Sequence, residues 1–328
     1  MRFGLYLLNH APPRTNLSTL FQEVADQTRV AQEMDFDMLT TGQHYLADYA
    51  YLQPIPLLSR LTSIAGSMTV GPAVLLLPLH HPIQVAENVA TLSALADDVV
   101  LGVGAGYRDV EFQSFSIPKA QRSKRLEEGI AVIKQLWTNE SVSFDGEHIT
   151  VDDVSLHSQS EQPVPIWVAA HSQPAVERAA RIGDTWIVGP HSTLTETAEL
   201  VSSTYQPTCE EYGADASVSI IREAFVASTT EEAEQVAKEY LAPRYKKYVD
   251  WGQNKSMADE SELSQQFQAL SDDRFLIGTP ADICSELERY QDTLDVDHVL
   301  FRTQWPGLSH ERTMESLRLL GDEVLPHV

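Results

Sequence analysis

Residues 68–78 read Met68-Thr69-Val70-Gly71-Pro72-Ala73-Val74-Leu75-Leu76-Leu77-Pro78. So continuous an apolar run, stopped by a proline, predicts a strand buried on both faces. Val85 to Leu95 follows with apolar residues at helical spacing, and Val99 to Val103 is again a short apolar run. Strand, helix and strand in close succession form a βαβ unit, and such a unit needs parallel neighbours.

The same rhythm extends in both directions. Towards the N-terminus, Phe3 to Leu8 and Asp37 to Thr41 read as strands, each followed by a helix, Leu20 to Met34 and Pro54 to Ile64. Arg122 to Trp137 is a helix with Leu126, Ile130, Ile133 and Leu136 on one side. Ser141 to Val151 departs from the pattern, with the hairpin signal Asp145-Gly146 at its centre. Strands then recur at Ile166 to Ala169, Thr185 to Val188, Ser219 to Val226 and His298 to Arg302. Helices are expected at Pro174 to Ile182, Leu194 to Tyr205, Thr230 to Tyr240, Pro280 to Tyr290 and Glu311 to Val324. Ala242 to Phe275 is polar and irregular, with a helix expected near Glu260 to Leu270.

Eight strands, centred near Phe3, Met38, Val70, Val100, Ile166, Trp186, Ile220 and Val299, each lead into a helix. Eight βα units predict an α/β protein, a (β/α)8 TIM barrel with insertions. A doubly wound open sheet is the competing arrangement. The count of eight, and the lack of a composition break at mid-chain, favour the barrel. The expectation is one domain over 1–328, with insertions at about 138–163 (a hairpin excursion) and 242–275 (a lid).

Composition limits the partners. The 328 residues carry 23 Lys plus Arg against 47 Asp plus Glu, a net charge of −24. Such a surface repels phosphate backbones and anionic lipid, so no nucleic acid and no membrane partner is expected. Lysine occurs only at positions 119, 124, 134, 238, 246, 247 and 255. High negative charge with scarce lysine suggests a halophilic protein, whose self-repulsion concentrated salt would screen. Cys209 and Cys284 are not at ligand spacing, and no signal-like or membrane-spanning run occurs, so a cytoplasmic protein without disulfide or metal is expected.

In a barrel the chemistry sits where strands end. After strand two comes Gly42-Gln43-His44-Tyr45, and a histidine placed there can serve as acid or base near neutral pH. After strand three, His80-His81-Pro82 reads as a proline-fixed turn and not a metal site. After strand four, Gly102-Val103-Gly104-Ala105-Gly106-Tyr107 is only a partial dinucleotide fingerprint, since Tyr107 stands where the last glycine belongs. Those glycines still mark backbone that something approaches closely, either a ligand or packed neighbours. After strand five, His171 and Ser172 open a helix whose free N–H groups suit an anion, and Arg122 and Arg125 head another. No nucleophile elbow, P-loop or zinc-binding helix motif is present.

Taken in order, these segments resemble the bacterial luciferase-like flavin-dependent oxidoreductases. The resemblance rests on Phe3 to Leu8, Phe36-Asp37 with Gln43-His44-Tyr45, and Val70 to Pro78 with His81-Pro82. It continues through Gly102 to Tyr107 with Glu111-Phe112, Arg122 to Trp137, Pro165 to Val168, Arg178 to Asp184 and Gly278-Thr279-Pro280. It implies a (β/α)8 barrel that binds reduced FMN or, alternatively, the deazaflavin F420. FMN members use O2 to oxidise an aldehyde, alkane, sulfonate or terpenoid, whereas F420 members transfer hydride without O2. A separate flavin reductase and a homodimer are implied partners. A third possibility is a family member without chemistry, serving as a flavin store or subunit.

Carried over residue by residue, His44 matches the family's catalytic histidine. Gln43 stands where the family has an acid, so that carboxylate neighbour is missing. Ala73-Val74 falls where the family often has a cis peptide beneath the flavin ring. Ala105 replaces a phosphate-binding arginine, leaving the phosphate to Arg122 or Arg125, Ser172 and nearby backbone. The remaining cofactor-binding positions are Gly104, Gly106, Tyr107 and His171. Arg108 and Arg302 are further cations at strand and helix ends.

Overall fold

A computed structural model gives the architecture, and it describes all residues except 159, 161, 257–262 and 264. Eight parallel strands form a nearly closed barrel. They are β1 (Arg2–Leu7), β2 (Met38–Thr41), β3 (Thr69–Pro72), β4 (Leu101–Val103), β5 (Ile166–Ala169), β6 (Thr185–Val188), β7 (Val218–Val226) and β8 (His298–Arg302). β1 pairs with both β2 and β8, in the registers Leu5 to Leu39 and Leu5 to Phe301. β3 meets β4 through single bridges, Val70 to Val99 and Leu75 to Val103, which complete the circuit. The eight expected strands are all present.

Two apolar layers hold the barrel. Met38, Val100, Trp167, Ile187, Ile221 and Leu300 fill its interior. A larger layer, with Leu20, Val24, Leu58, Val89, Ile133, Ile283 and Leu317, lies between sheet and helices. Burial of these side chains contributes roughly 1.5–3 kcal/mol each against chain entropy.

The hairpin Val142–Asp145 with Thr150–Val154 lies outside the barrel sheet, as expected. Glu128 ties it down, accepting hydrogen bonds from the N–H groups of Glu147, His148 and Ile149 at 2.8, 2.9 and 3.0 Å.

Other features differ from the expectation. The helix Thr230–Asp250 continues past Pro243, where the sequence suggested an end near Tyr240. Its buried side chains Leu241, Arg244, Tyr245 and Tyr248 anchor the added turns, and this packing outweighs the lost hydrogen bond. Residues 242–250 are therefore helix, not irregular chain. A short strand, Leu276–Gly278, pairs in parallel with the outer end of β7. β7 is nine residues long and buried throughout, so it reaches beyond the barrel and accepts this second neighbour. Of the helix expected near Glu260 to Leu270, residues 260–262 and 264 lie outside the described residues, and the described part forms a helix only over Phe267–Ser271. His10–Ala11 and Ala50–Tyr51 form a small antiparallel pair over the mouth.

Candidate active site

A cavity of about 420 Å³ opens at the carboxyl ends of the strands. Its lining includes Gln43, His44, Ala73, Val74, Gly104, Ala105, Gly106, Tyr107, Arg122, His171 and Ser172. Those expected site residues are thus brought together. Arg125 is not among them. Its Nε donates to the Pro78 carbonyl at 3.3 Å, so it braces the loop after β3 instead of facing the cavity.

His44 is held on every side. Its Nδ1 lies 3.0 Å from Oε1 of Glu111, and its carbonyl accepts from Gln53 Nε2 at 3.0 Å. A carboxylate only accepts, so Nδ1 carries the hydrogen and Nε2 is left as the basic nitrogen. The same Glu111 oxygen accepts the Tyr45 N–H at 2.9 Å and Arg108 Nη1 at 3.2 Å. Arg108 also donates to the Tyr45 carbonyl at 2.7 Å, and its guanidinium sits 4.2 Å from the Trp251 ring centre. Trp251 in turn meets the His44 ring edge-on at 5.4 Å.

The expectation that His44 lacks a carboxylate is therefore corrected. The acid comes from Glu111, beyond β4. Gln43 has another task, for its Oε1 accepts the Leu76 N–H and lies 2.9 Å from His80 Nε2. Its amide nitrogen donates to Tyr45 Oη at 3.1 Å and Gln53 Oε1 at 3.2 Å. Burial depresses the His80 pKa to about 4, so a neutral ring donates that bond. Gln43 thus binds the loops after β2 and β3 into one piece.

The Ala73–Val74 peptide is cis. The β4 glycines make room for it. A Cβ on Gly102 would lie 2.3 Å from the Pro72 carbonyl oxygen, and one on Gly104 would lie 2.9 Å from Val74 Cγ2. Packing against this turn accounts for both glycines, while Gly106 adopts φ +75.

One end of the cavity is cationic. Arg122 and Ser123 begin the helix Arg122–Thr138, and Ser172 caps the helix Gln173–Ile182 without using its side chain. Arg178, from the latter helix, joins the lining and pairs with Glu127 at 2.8 Å. The sequence reading did not single out Arg178 as a site residue. Its place, one and a half turns past Ser172, was the available signal.

Along the wall, His171 seats against Gly189, where a Cβ would lie 2.4 Å from its ring. Burial depresses its pKa to about 4, and that of His191, 6.0 Å away, falls well below the usual value. At the opposite end stand Tyr6, His10, Arg244, Tyr248 and Arg302, of which the sequence pattern points only to Arg302. Nδ1 of His10, His171 and His191 and the Tyr107 hydroxyl are buried without a hydrogen-bond partner. Polar atoms orphaned around an apolar cavity suit a flat heterocyclic ligand that can satisfy them. No cluster of metal-ligating side chains exists among the described residues, and no described helix is long and apolar enough to cross a membrane.

Comparison with known proteins agrees with this geometry. The model of the luciferase-like monooxygenase family matches residues 1–296. The chain is 27% identical over 325 residues to an F420-dependent glucose-6-phosphate dehydrogenase from Microbacterium testaceum, covering 93% of each chain. It is 24% identical over 261 residues to an alkanal monooxygenase alpha chain from Photorhabdus laumondii, covering 76% of this chain and 71% of that one. Among solved structures, the oxygenating constituent of 3,6-diketocamphane monooxygenase from Pseudomonas putida, in complex with FMN, shares the fold. Its TM-score is 0.82 at 18% identity, with 100% of this chain and 99% of that one covered. The chain belongs to the luciferase-like monooxygenase family.

Proposed function

We propose that this protein is a flavin-dependent monooxygenase that uses reduced FMN and O2 to oxidise a small organic substrate. The class we favour is aldehyde, alkane, sulfonate or terpenoid. The observation that carries the reading is His44, held by the buried Glu111 and facing one cavity with the Ala73–Val74 turn and a cationic end. When bound, the reduced flavin supplies the electrons that activate O2. The residues supply the rest. Ala73 and Val74, backed by Gly104, offer a flat floor for a ring system. Arg122, Arg178, Ser172 and the free N–H groups of its helix suit a phosphate. His44 Nε2 takes or gives the proton that the substrate oxidation moves, and Glu111 fixes its tautomer. The buried wall keeps water from the reacting atoms.

A second reading, F420-dependent hydride transfer, is favoured by the identity to an F420-dependent dehydrogenase over nearly the whole of both chains. Titrating the purified protein with FMN and with F420, following fluorescence quenching, separates the two. O2 uptake with chemically reduced FMN and an aldehyde supports the first reading. Tight binding of F420 with no O2 uptake replaces it by the second, and binding of neither rejects both.

The same reading includes a separate flavin reductase, a cytoplasmic homodimer and adaptation to salt. Of the expected lid, 242–275, we assign Trp251, which meets His44, to covering the substrate; residues 257–262 and 264 lie outside the described residues.

A further inference from the structure

The end of the cavity formed by β7, β8 and the helix Thr230–Asp250 holds three charged side chains removed from solvent. Glu223 is fully buried, and Arg244 and Arg302 are each 5% exposed. Arg302 grips the Glu223 carboxylate with two nitrogens, Nε at 3.0 Å and Nη2. Trp305 Nε1 donates to the same group at 2.8 Å, and Arg244 Nε stands 3.8 Å from it. Two guanidiniums thus share one carboxylate, and among the described residues one positive charge is uncompensated. No Asp or Glu appears among the described residues that face the cavity, so none of them neutralises it. The neighbouring Tyr6 does not help as a phenolate, since burial pushes its pKa up to about 12. Arg244 spends Nε and Nη2 on the Tyr248 hydroxyl, and its Nη1 is buried without a hydrogen-bond partner. A buried guanidinium with an unused donor is a group that a ligand can complete.

This end is not the one suited to a cofactor phosphate. Arg122 and Arg178 follow β4 and β5, and the strand order places β8 four and three strands from these, across the barrel. We propose that Arg244 and Arg302 form a recognition site for a carboxylate, so that the substrate is a small organic monoanion. The choice of a carboxylate follows from the charge count: one uncompensated positive charge matches a monoanion, whereas a phosphate ester would overfill it. This assignment rests on the flavin reading insofar as the cofactor phosphate occupies the opposite end.

The test uses calorimetric titration of the full chain, with and without FMN, by three probes: hexanoate, hexanol and hexyl phosphate. Hexanoate is expected to bind at least about tenfold more tightly than either other probe, the size of one charge-assisted hydrogen bond. Arg244→Gln should remove that preference while hexanol binding stays the same, and Arg244→Lys should keep part of it. Equal binding of hexanoate and hexanol by the unaltered protein overturns the proposal, as does a preference for hexyl phosphate. So does an Arg244→Gln variant that loses FMN in the same proportion as hexanoate, which would assign this end to the cofactor. Should Arg244→Gln fail to fold, the probe ratio in the unaltered protein and in Arg244→Lys still decides. Hexanoate preference without any FMN or F420 binding would sink the flavin reading and leave the carboxylate site standing.

Discussion

Nδ1 of His44 lies 3.0 Å from Oε1 of Glu111, a carboxylate that is wholly buried and also holds Arg108. The pair joins the end of β2 to the loop after β4, and it fixes which imidazole nitrogen faces the cavity. Glu111→Gln keeps the shape but removes the obligate acceptor, so either tautomer becomes available. Steady-state kinetics should show kcat reduced by about 10²-fold or more, the usual worth of a positioned acid or base. Because Arg108 also loses its counter-charge, the melting temperature should fall. His44→Gln leaves Arg108 and Glu111 paired, so it should lose comparable activity with a smaller change in melting temperature. Near-normal turnover in His44→Gln would remove the ring from the reaction.

The β4 glycines yield a second, graded expectation. A methyl group on Gly102 meets a backbone oxygen at 2.3 Å, and backbone cannot swing away. Gly102→Ala should destabilise the fold by about 3 kcal/mol or more, the upper end of overpacking costs. Gly104→Ala meets the end of a valine side chain at 2.9 Å, which can give. That variant should stay folded but displace Val74 and weaken FMN binding. Urea unfolding together with FMN titration checks both, and a fully stable Gly102→Ala would show that the contact relaxes easily.

Much of this was legible in the sequence, for reasons visible in the structure. Each barrel strand is buried, so its apolar run stood out, as with Val70 between Pro72 and Met68. The strand-end rule then placed His44, Gly104 and Ser172 in one cavity, and the family resemblance added Ala73. The misses have a different origin. Pro243 signals a helix end, and only the packing of Arg244, Tyr245 and Tyr248 reveals that the helix continues. Glu111 was marked as part of a block, but its bond to His44 spans 67 residues and no local pattern encodes it. Arg125 and Arg122 share one helix head, and which of them faces the cavity depends on the helix rotation. Arg244 and Tyr248 are one turn apart on a face that looks merely polar in sequence.

Buried histidines set a pH limit on stability. His171 and His80 are held neutral with pKa values of about 4, and His191 is shifted in the same direction by burial. In the unfolded chain a histidine takes up its proton near pH 6.5. Between about pH 6.5 and 4 the unfolded state therefore binds more protons, and stability drops as pH falls through that window. Each such residue steepens the drop by up to about 1.4 kcal/mol per pH unit. Urea midpoints at pH 7 and pH 5 should differ clearly, and His191→Gln should narrow the difference. Identical midpoints would mean that these rings accept protons in the folded protein.

Salt dependence is the remaining expectation. A net charge of −24 strains the folded state by self-repulsion, which falls as the Debye length shortens from about 10 Å at 0.1 M to 3 Å at 1 M. The surface ion pairs oppose the trend only weakly. Lys134 with Asp184 and Arg29 with Asp26 are half exposed and worth at most about 1 kcal/mol each. The buried Glu223–Arg302 pair is screened much less than these. Repulsion summed over the whole surface should therefore dominate, and the melting temperature should climb steadily from 0.05 to 2 M NaCl (concentrations of about those values bracket the change in screening). Because sodium sulfate also strengthens apolar burial, sodium chloride and guanidinium-free buffers are the informative comparison. A melting temperature that stays level or declines across the series would show that the acidic surface carries no adaptation to salt.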